Sequence, residues 1–331
     1  MLLLKSNINS LNIMKIKFGV LMKNKNILIT GGLGFIGSHI ANELLDNNKV
    51  VILDNLSTGN LNNLKDPNHK NLKIIEEDIC NTDLDDLTSN IDYIFHLAAM
   101  ASVPLSIDKP VECSEINLNA TIKLLKSAVD NNVKKIIFSS SSSVYGQNTN
   151  MPLKETEQPM PMSPYASSKA SCELYLKSFY DSYGLNYVSL RYFNVFGPGQ
   201  DKNSQYAAVI PNFISALLEG KQAEIYGDGE QTRDFIFIND VVRANINAAE
   251  SDFNGIINIA SGKKLSINQL YEIVRKTLNS DLKPKYLPKR QGDIKHSLAD
   301  ISNMEKINCK VDSSNFEQQL QDTVKWFETI L

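Results

Sequence analysis

Cysteine, histidine and tryptophan are scarce in this chain: its 331 residues hold four Cys, four His and one Trp. Cys80, Cys113, Cys172 and Cys309 have neither the spacing of a metal-ligand set nor the density of a disulfide scaffold. His39, His69, His96 and His296 also lack ligand spacing, which leaves them packing or surface roles and gives no metal site. Excess positive charge is missing too, since 34 Lys and Arg face 37 Asp and Glu for a formal charge of −3. The chain therefore lacks the electrostatic footprint of phosphate-backbone binding, and nucleic acid is not an expected partner. No apolar stretch approaches the roughly 20 residues of a membrane-spanning helix, so no membrane is expected either. A reducing cytoplasm fits these absences. Internal repeats and low-complexity segments are absent.

What is present begins after residue 21. Met1 to Leu4 followed by Lys5 resembles no secretory signal, so 1–21 reads as a poorly ordered extension, with Met14 or Met22 as alternative starts. Short apolar runs at Ile27–Thr30, Val50–Leu53, Leu72–Glu76, Tyr93–Leu97, Ile136–Ser140 and Tyr187–Arg191 read as strands. Helical spacing lies between several of them, at Phe35–Leu45, Ile116–Asp130 and Pro164–Tyr183. Strands alternating with helices imply right-handed crossovers and a parallel sheet. The expected class is α/β: a Rossmann-type doubly wound parallel sheet over 22–190, then a smaller C-terminal α/β substrate domain over 191–331. The chain is expected to cross back to the sheet around 236–262.

Two constellations carry chemistry. Thr30-Gly31-Gly32-Leu33-Gly34-Phe35-Ile36-Gly37 sits between the first strand and first helix. Glycines there let backbone approach a pyrophosphate, whose charge meets free N–H groups and the positive end of the helix dipole. Asp54 ends the second strand about 20 residues after Gly34, where an acid accepts ribose hydroxyls and repels a 2′-phosphate, so NAD is favoured over NADP. Asp78 and Ile79, after the third strand, are candidates for the adenine wall. The second constellation is Tyr165 with Lys169, spaced i, i+4 on a helix opened by Ser163 and Pro164. With 12 Tyr and 29 Lys, chance supplies about one such pair, and this is the only one. Its position counts for more, because the helix follows a strand ending in the serine run 139–143, at the sheet edge where ligands bind. A neighbouring ammonium favours phenolate, letting Tyr165 take a hydroxyl proton, with Ser141 as relay and Lys169 also holding the nicotinamide ribose.

Together with His96-Leu97-Ala98-Ala99, Ser139 to Gly146, Arg191-Tyr192-Phe193-Asn194-Val195-Phe196-Gly197, Gly227-Asp228-Gly229 and Arg233-Asp234-Phe235, these motifs resemble the extended short-chain dehydrogenase/reductase family. The likeness spans nearly all of 22–331 and is greatest to its UDP-hexose 4-epimerases. The resemblance implies Tyr165 as base, Ser141 as its partner and Lys169 as the cofactor-holding lysine. It further implies a cofactor wall of Gly31, Gly34, Phe35, Ile36, Gly37, Asp54, Asn55, Ser57, Gly59, Leu97, Ala98, Ala99, Asn117, Tyr192 and Phe193. Asn194 would stand where cofactor and sugar meet. Arg233 and Arg290 would grip the UDP diphosphate, Asp293 the uridine ribose, and Ala208, Val209, Ile225 and Tyr226 the uracil. Arg191 and Arg243 read instead as surface ion pairs.

Related dehydratases and decarboxylases place an extra acid or base where this chain has Ser142 and Ser143, and two serines favour epimerisation. Ser297 occupies a position where glucose/galactose-restricted epimerases resemble one another in carrying Tyr; a small residue leaves room for a 2-acetamido group. The implied reaction is therefore 4-epimerisation of UDP-GlcNAc and UDP-GalNAc, with some turnover of UDP-Glc and UDP-Gal. Two alternatives are a UDP-hexuronate 4-epimerase and a non-catalytic NAD-binding regulator. The latter would not need Tyr165, Lys169 and Ser141 together. The helices at 116–130 and 164–183 resemble the family's dimer-forming pair, which implies a homodimer. Trp326 is assigned to core packing in a C-terminal amphipathic helix.

Overall fold

The computed structural model describes residues 22–201, 209–289, 294–311 and 313–331. The extension at 1–21 and the site candidates Ala208, Arg290 and Asp293 lie outside the described residues. Six strands rich in Val, Ile and Leu follow one another with helices between: β1 Asn26–Thr30, β2 Lys49–Asp54, β3 Leu72–Glu76, β4 Tyr93–His96, β5 Lys135–Ser141 and β6 Asn186–Tyr192. Such runs suit a sheet covered on both faces. The intervening helices are α1 Phe35–Leu44, α2 Leu84–Thr88, α3 Val103–Asp108, α4 Pro110–Ser114, α5 Ala120–Asp130 and α6 Pro164–Tyr183. The rest of the chain adds β7 Asn194–Phe196, α7 Val209–Leu218, β8 Glu224–Tyr226, β9 Thr232–Phe237, α8 Ile238–Glu250, β10 Gly255–Ile259, β11 Lys264–Ser266, α9 Ile267–Thr277, β12 Lys285–Leu287 and α10 Phe316–Ile330.

The main sheet is wholly parallel in the order β10-β6-β5-β4-β1-β2-β3. Its order reverses between β1 and β4, which opens a crevice at the carboxyl ends of those strands. The chain returns to the sheet through α8 and β10, so the C-terminal part supplies the seventh strand. Two small sheets, β11-β9-β7 and β12-β8, stand beyond it. One core runs through both parts, with Ile27, Phe95 and Leu190 of the main sheet in the same buried cluster as Phe235, Leu270 and Phe327. Trp326 packs partly buried against that cluster.

Two details differ from the sequence reading. The segment 116–130 is not one regular helix: Glu115–Asn119 forms a π-helical turn before α5 begins at Ala120. Apolar spacing is too coarse to register one inserted residue per turn. Arg191 is not at the surface. It is 1% exposed and paired with Glu173, because β6 is an interior strand whose neighbours cover it. Arg243, by contrast, pairs with Asp240 at a partly exposed position.

Helix α6 carries the Tyr165/Lys169 pair, and local chemistry fixes its ends. Ser163 caps it by accepting from Ala166 N at 3.2 Å, Pro164 opens the first turn, and Gly184 ends it at φ 75°. Ser163→Ala is expected to lower unfolding free energy by about 1 kcal/mol, read as a lower denaturant midpoint with an unchanged slope.

Candidate active site

At the crevice, the β1–α1 turn is shaped by close packing. Gly31 has φ 68°, and a Cβ there would stand 2.7 Å from Ala98 N; a Cβ on Gly37 would stand 2.2 Å from Gly31 O. Neither position tolerates a side chain, so the loop lies flat against the β4 end and leaves α1 with an open N-terminus. No side chain caps that terminus and no acid occupies its first turn, so the backbone N–H groups of Phe35 and Ile36, at the positive end of the helix dipole, are suited to an anion. Asp54 ends β2, accepting from Leu33 N and Leu56 N at 2.9 Å each, and Gly59 packs against its carboxylate. Asn55 donates to Asp78 at 2.9 Å and accepts from Ser57 N, and Ile79 is buried beside them. This cradle fits the pyrophosphate and adenosine of a dinucleotide.

On the other side of the crevice a buried relay ties the strand ends together. Thr121 Oγ1 donates to Asn117 O at 2.5 Å, so its oxygen accepts from His96 Nε2 at 2.8 Å. His96 Nδ1 then accepts from Thr30 Oγ1 at 2.6 Å, and Thr30 Oγ1 accepts from Ala98 N. Burial holds the imidazole down to about 3, with the Lys169 charge adding to the effect, so it is neutral in this role. The Asn117 side chain clasps both backbone groups of Met100 and donates to Ser168 Oγ at 3.0 Å. Ser168 in turn donates to Tyr165 O. Leu97, Ala98 and Ala99 are thereby fixed against the helix that carries the tyrosine. A π-helical turn at Asn117 aims this side chain inward, and such turns concentrate at functional sites.

Tyr165 and Lys169 share one face of α6. The ammonium of Lys169, 3% exposed, donates to Ser139 O at 2.7 Å and lies 4.7 Å from the centre of the Phe138 ring and 6.0 Å from that of Tyr165. Burial brings Lys169 down to about 8, opposed in part by Cys172, Cys113 and Glu173. The Tyr165 phenol is pushed up by burial, and a hydrogen bond with Ser141 opposes that shift. Tyr165 N is held by Ser106 Oγ at 3.1 Å. Ser141 itself caps the 3-10 turn Ser142–Tyr145 by accepting from Ser143 N. A phenol between a buried ammonium and a serine hydroxyl is built for moving one proton.

A cavity of about 470 Å³ opens beside this pair. It brings together Ser141, Ser142, Ser143, Tyr165, Tyr192, Phe193, Asn194, Arg233 and Ser297. Asp234, 0% exposed, assembles the far wall by accepting from Ser261 N, Gly262 N and Ala299 N. It joins β9 to the segment carrying Ser297, whose backbone N donates to Thr232 O at 3.1 Å. Arg233 donates to Thr232 O, and Asn194 donates to Asp234 O. Val209, Ile225 and Tyr226 do not line the cavity. Val209 opens α7, while Ile225 and Tyr226 lie on β8, with Ile225 1% exposed in the main core. The sequence reading passed over Val103, Ile107 and Met162, apolar residues on the cavity wall, and gave His296 no site role although it also lines the cavity. Only the adjacency of His296 to Ser297 offered a signal. Among the described residues no cluster of His, Cys, Asp and Glu suits a metal ion, and no helix is long and apolar enough to cross a membrane.

Residues 27–260 match the NAD dependent epimerase/dehydratase family. Among solved structures, the chain is 60% identical to a UDP-N-acetylglucosamine 4-epimerase of Methanobrevibacter ruminantium M1, in complex with UDP-N-acetylmuramic acid, with a TM-score of 0.93 over 94% of this chain and 100% of that one. It is 39% identical to a UDP-glucose 4-epimerase of Thermotoga maritima with UDP-glucose, with a TM-score of 0.88 over 92% and 99% of the two chains. A UDP-glucuronic acid 4-epimerase of Bacillus cereus, with UDP-glucuronic acid and NAD, is 31% identical with a TM-score of 0.85 over 92% and 100%.

Two outcomes follow from the geometry. Tyr165→Phe is expected to lower kcat by about 10²- to 10⁴-fold with bound NAD retained, as read by turnover and by cofactor content of the purified protein. The expected active form of Lys169 is the ammonium, whose neighbours are Tyr165, Cys113, Cys172, Glu173 and the neutral His96. A pH profile of kcat/KM should therefore fall above pH about 8 as that proton leaves.

Proposed function

The chain belongs to the NAD-dependent epimerase/dehydratase family, and from that premise we propose that it interconverts UDP-N-acetylglucosamine and UDP-N-acetylgalactosamine by inverting carbon 4. UDP-glucose and UDP-galactose are secondary substrates. The observation that carries this reading is the cavity in which Tyr165 and Ser141 face a wall of small residues, Ser142, Ser143 and Ser297. Among the described residues no carboxyl group lines it to drive an elimination, and small side chains leave space for a 2-acetamido group.

NAD is the cofactor, and when bound it supplies hydride acceptance from carbon 4 and hydride return to the opposite face. The cradle of Gly31, Gly34, Phe35, Ile36 and Gly37 would hold its pyrophosphate, Asp54 its adenosine ribose, and Lys169 its nicotinamide ribose. Tyr165 takes the 4-hydroxyl proton through or beside Ser141 as hydride leaves carbon 4, so that the sugar becomes a 4-ketone, and Tyr165 returns the proton after the sugar has turned and hydride has come back. Lys169 stabilises the phenolate that stands before the proton is taken and is restored after the proton is returned. Arg233 holds the diphosphate as a fixed pivot, since a guanidinium fork matches phosphate geometry. From the sequence, Arg290 is assigned with it to the diphosphate, Asp293 to the uridine ribose, and Ala208, Val209, Ile225 and Tyr226 to the uracil. The sugar must be held less firmly than the nucleotide, and the apolar Val103, Ile107 and Met162 offer contact without hydrogen bonds that would fix one face.

The same scaffold carries hexuronate epimerases, and a carboxylated substrate is the second reading, to be separated by assay. The protein is proposed to act as a homodimer in a reducing cytoplasm. Its four cysteines are free thiols, and α6 presents Leu174 at 72% and Tyr183 at 57% exposure, with Val111 of α4 at 74%. A sedimentation mass of one chain at micromolar concentration would contradict the dimer.

A panel of UDP-hexoses with carbon-4 product analysis is expected to give the highest kcat/KM on the N-acetylated pair. Ser297→Tyr should lower kcat/KM for UDP-N-acetylglucosamine by about tenfold or more while sparing UDP-glucose. A higher kcat/KM on UDP-galactose than on UDP-N-acetylgalactosamine in the native protein would refute the assignment of Ser297.

A further inference from the structure

Two helical turns beyond Tyr165 on α6 lies Glu173, 3% exposed. Its carboxylate accepts from Ser140 Oγ at 2.6 Å and from Arg191 Nε and Nη2 at 2.9 and 2.7 Å. Ser140 immediately precedes the proton-relaying Ser141. The Arg191 guanidinium lies 4.6 Å from the centre of the Tyr145 ring, and Tyr145 closes the 3-10 turn that carries Ser142 and Ser143. The Tyr145 hydroxyl donates to Asn258 Oδ1 at 2.6 Å. Asn258 Nδ2 donates onward to the carbonyls of Leu153 and Asp300, and Asp300 stands three residues after Ser297. An unbroken chain of contacts thus runs from the proton-transfer helix, through the serine turn, to the opposite wall of the cavity.

A buried ion pair is a weak device for stability, because the cost of desolvating both charges offsets their attraction. Here the pair stands one turn from Lys169, and two buried cations, Lys169 and Arg191, face one buried anion. Truncating such a pair strands a charge, yet the more informative consequence is geometric. The reaction needs the base to stay in place while the sugar rotates between its two presentations, and an error of about 1 Å costs about 10²-fold in rate. Resting on the epimerase reading, we infer that Glu173, Arg191 and Tyr145 are positioning residues, which fix the turn bearing Tyr165 and Lys169 against Ser141–Ser143 and the segment bearing Ser297.

The test uses the full chain with NAD bound and UDP-N-acetylglucosamine as substrate. Tyr145→Phe removes one hydroxyl and leaves the ring on Arg191; Glu173→Gln removes the charge and keeps the shape. Each is assayed well below its own melting transition. In both, kcat is expected to fall about tenfold while KM stays near the native value. In Glu173→Gln the alkaline limb of kcat/KM also moves to lower pH, since Lys169 loses a buried anion while Tyr165, Cys113, Cys172 and His96 are unchanged. If Glu173→Gln does not fold, Tyr145→Phe decides alone. A folded Tyr145→Phe with near-native kcat and only a lowered melting temperature overturns the inference, as does a loss carried by KM. Native protein that fails to epimerise the sugar would instead overturn the function on which the inference rests.

Discussion

An ammonium withdrawn from water, that of Lys169, is the constraint on which the rest of the site depends. Its charge has to be kept without bulk solvent, and the surrounding structure supplies the substitutes: the Ser139 carbonyl, the face of Phe138 and the Glu173 carboxylate on the same helix. His96 has to remain neutral next to it, and the relay through Thr30 and Thr121 satisfies both ring nitrogens without a second proton. The phenol of Tyr165, raised by the same burial, is drawn back by its hydrogen bond with Ser141, with the Lys169 ammonium 6.0 Å from its ring. Sheet, helix and hydrogen-bond relay therefore serve one electrostatic end.

The two halves of the crevice are built differently. The cofactor half depends on one continuous stretch, β1 to α1, whose glycines press the backbone against Ala98 and expose a helix terminus. The sugar half is assembled from distant pieces: the serine turn after β5, Asn194 on β7, Arg233 on β9 and the segment through Ser297. Asp234 is the knot that holds the last two together, accepting from three backbone N–H groups. Desolvation raises that carboxyl to about 6 despite those bonds.

The sequence was most informative where one contiguous segment does the work. The glycine turn, Asp54, and Tyr165 with Lys169 on a capped helix were legible because their spacing is also their geometry. The parallel sheet was legible for the same reason, down to strands placed within a residue or two. The π-helical turn at Asn117 was not, since an inserted residue leaves the apolar pattern nearly intact. Arg191 was misplaced at the surface because its partner lies 18 residues earlier on another element, and no local pattern announces such a pairing. The placement of Val209, Ile225 and Tyr226 came from family resemblance alone, and the side chains that line the described cavity are others. His296 and the apolar wall of Val103, Ile107 and Met162 carry no motif. They are brought to the cavity only by tertiary packing.

The central claim is that carbon 4 is inverted by hydride removal and return within one closed site, with Tyr165 handling the proton. Epimerisation of UDP-N-acetylglucosamine bearing deuterium at carbon 4, followed by mass and NMR analysis of the product, tests it most directly. The account predicts UDP-N-acetylgalactosamine with the deuterium retained at carbon 4. Loss of that deuterium to solvent, or its transfer to carbon 6 with elimination of water, would contradict it.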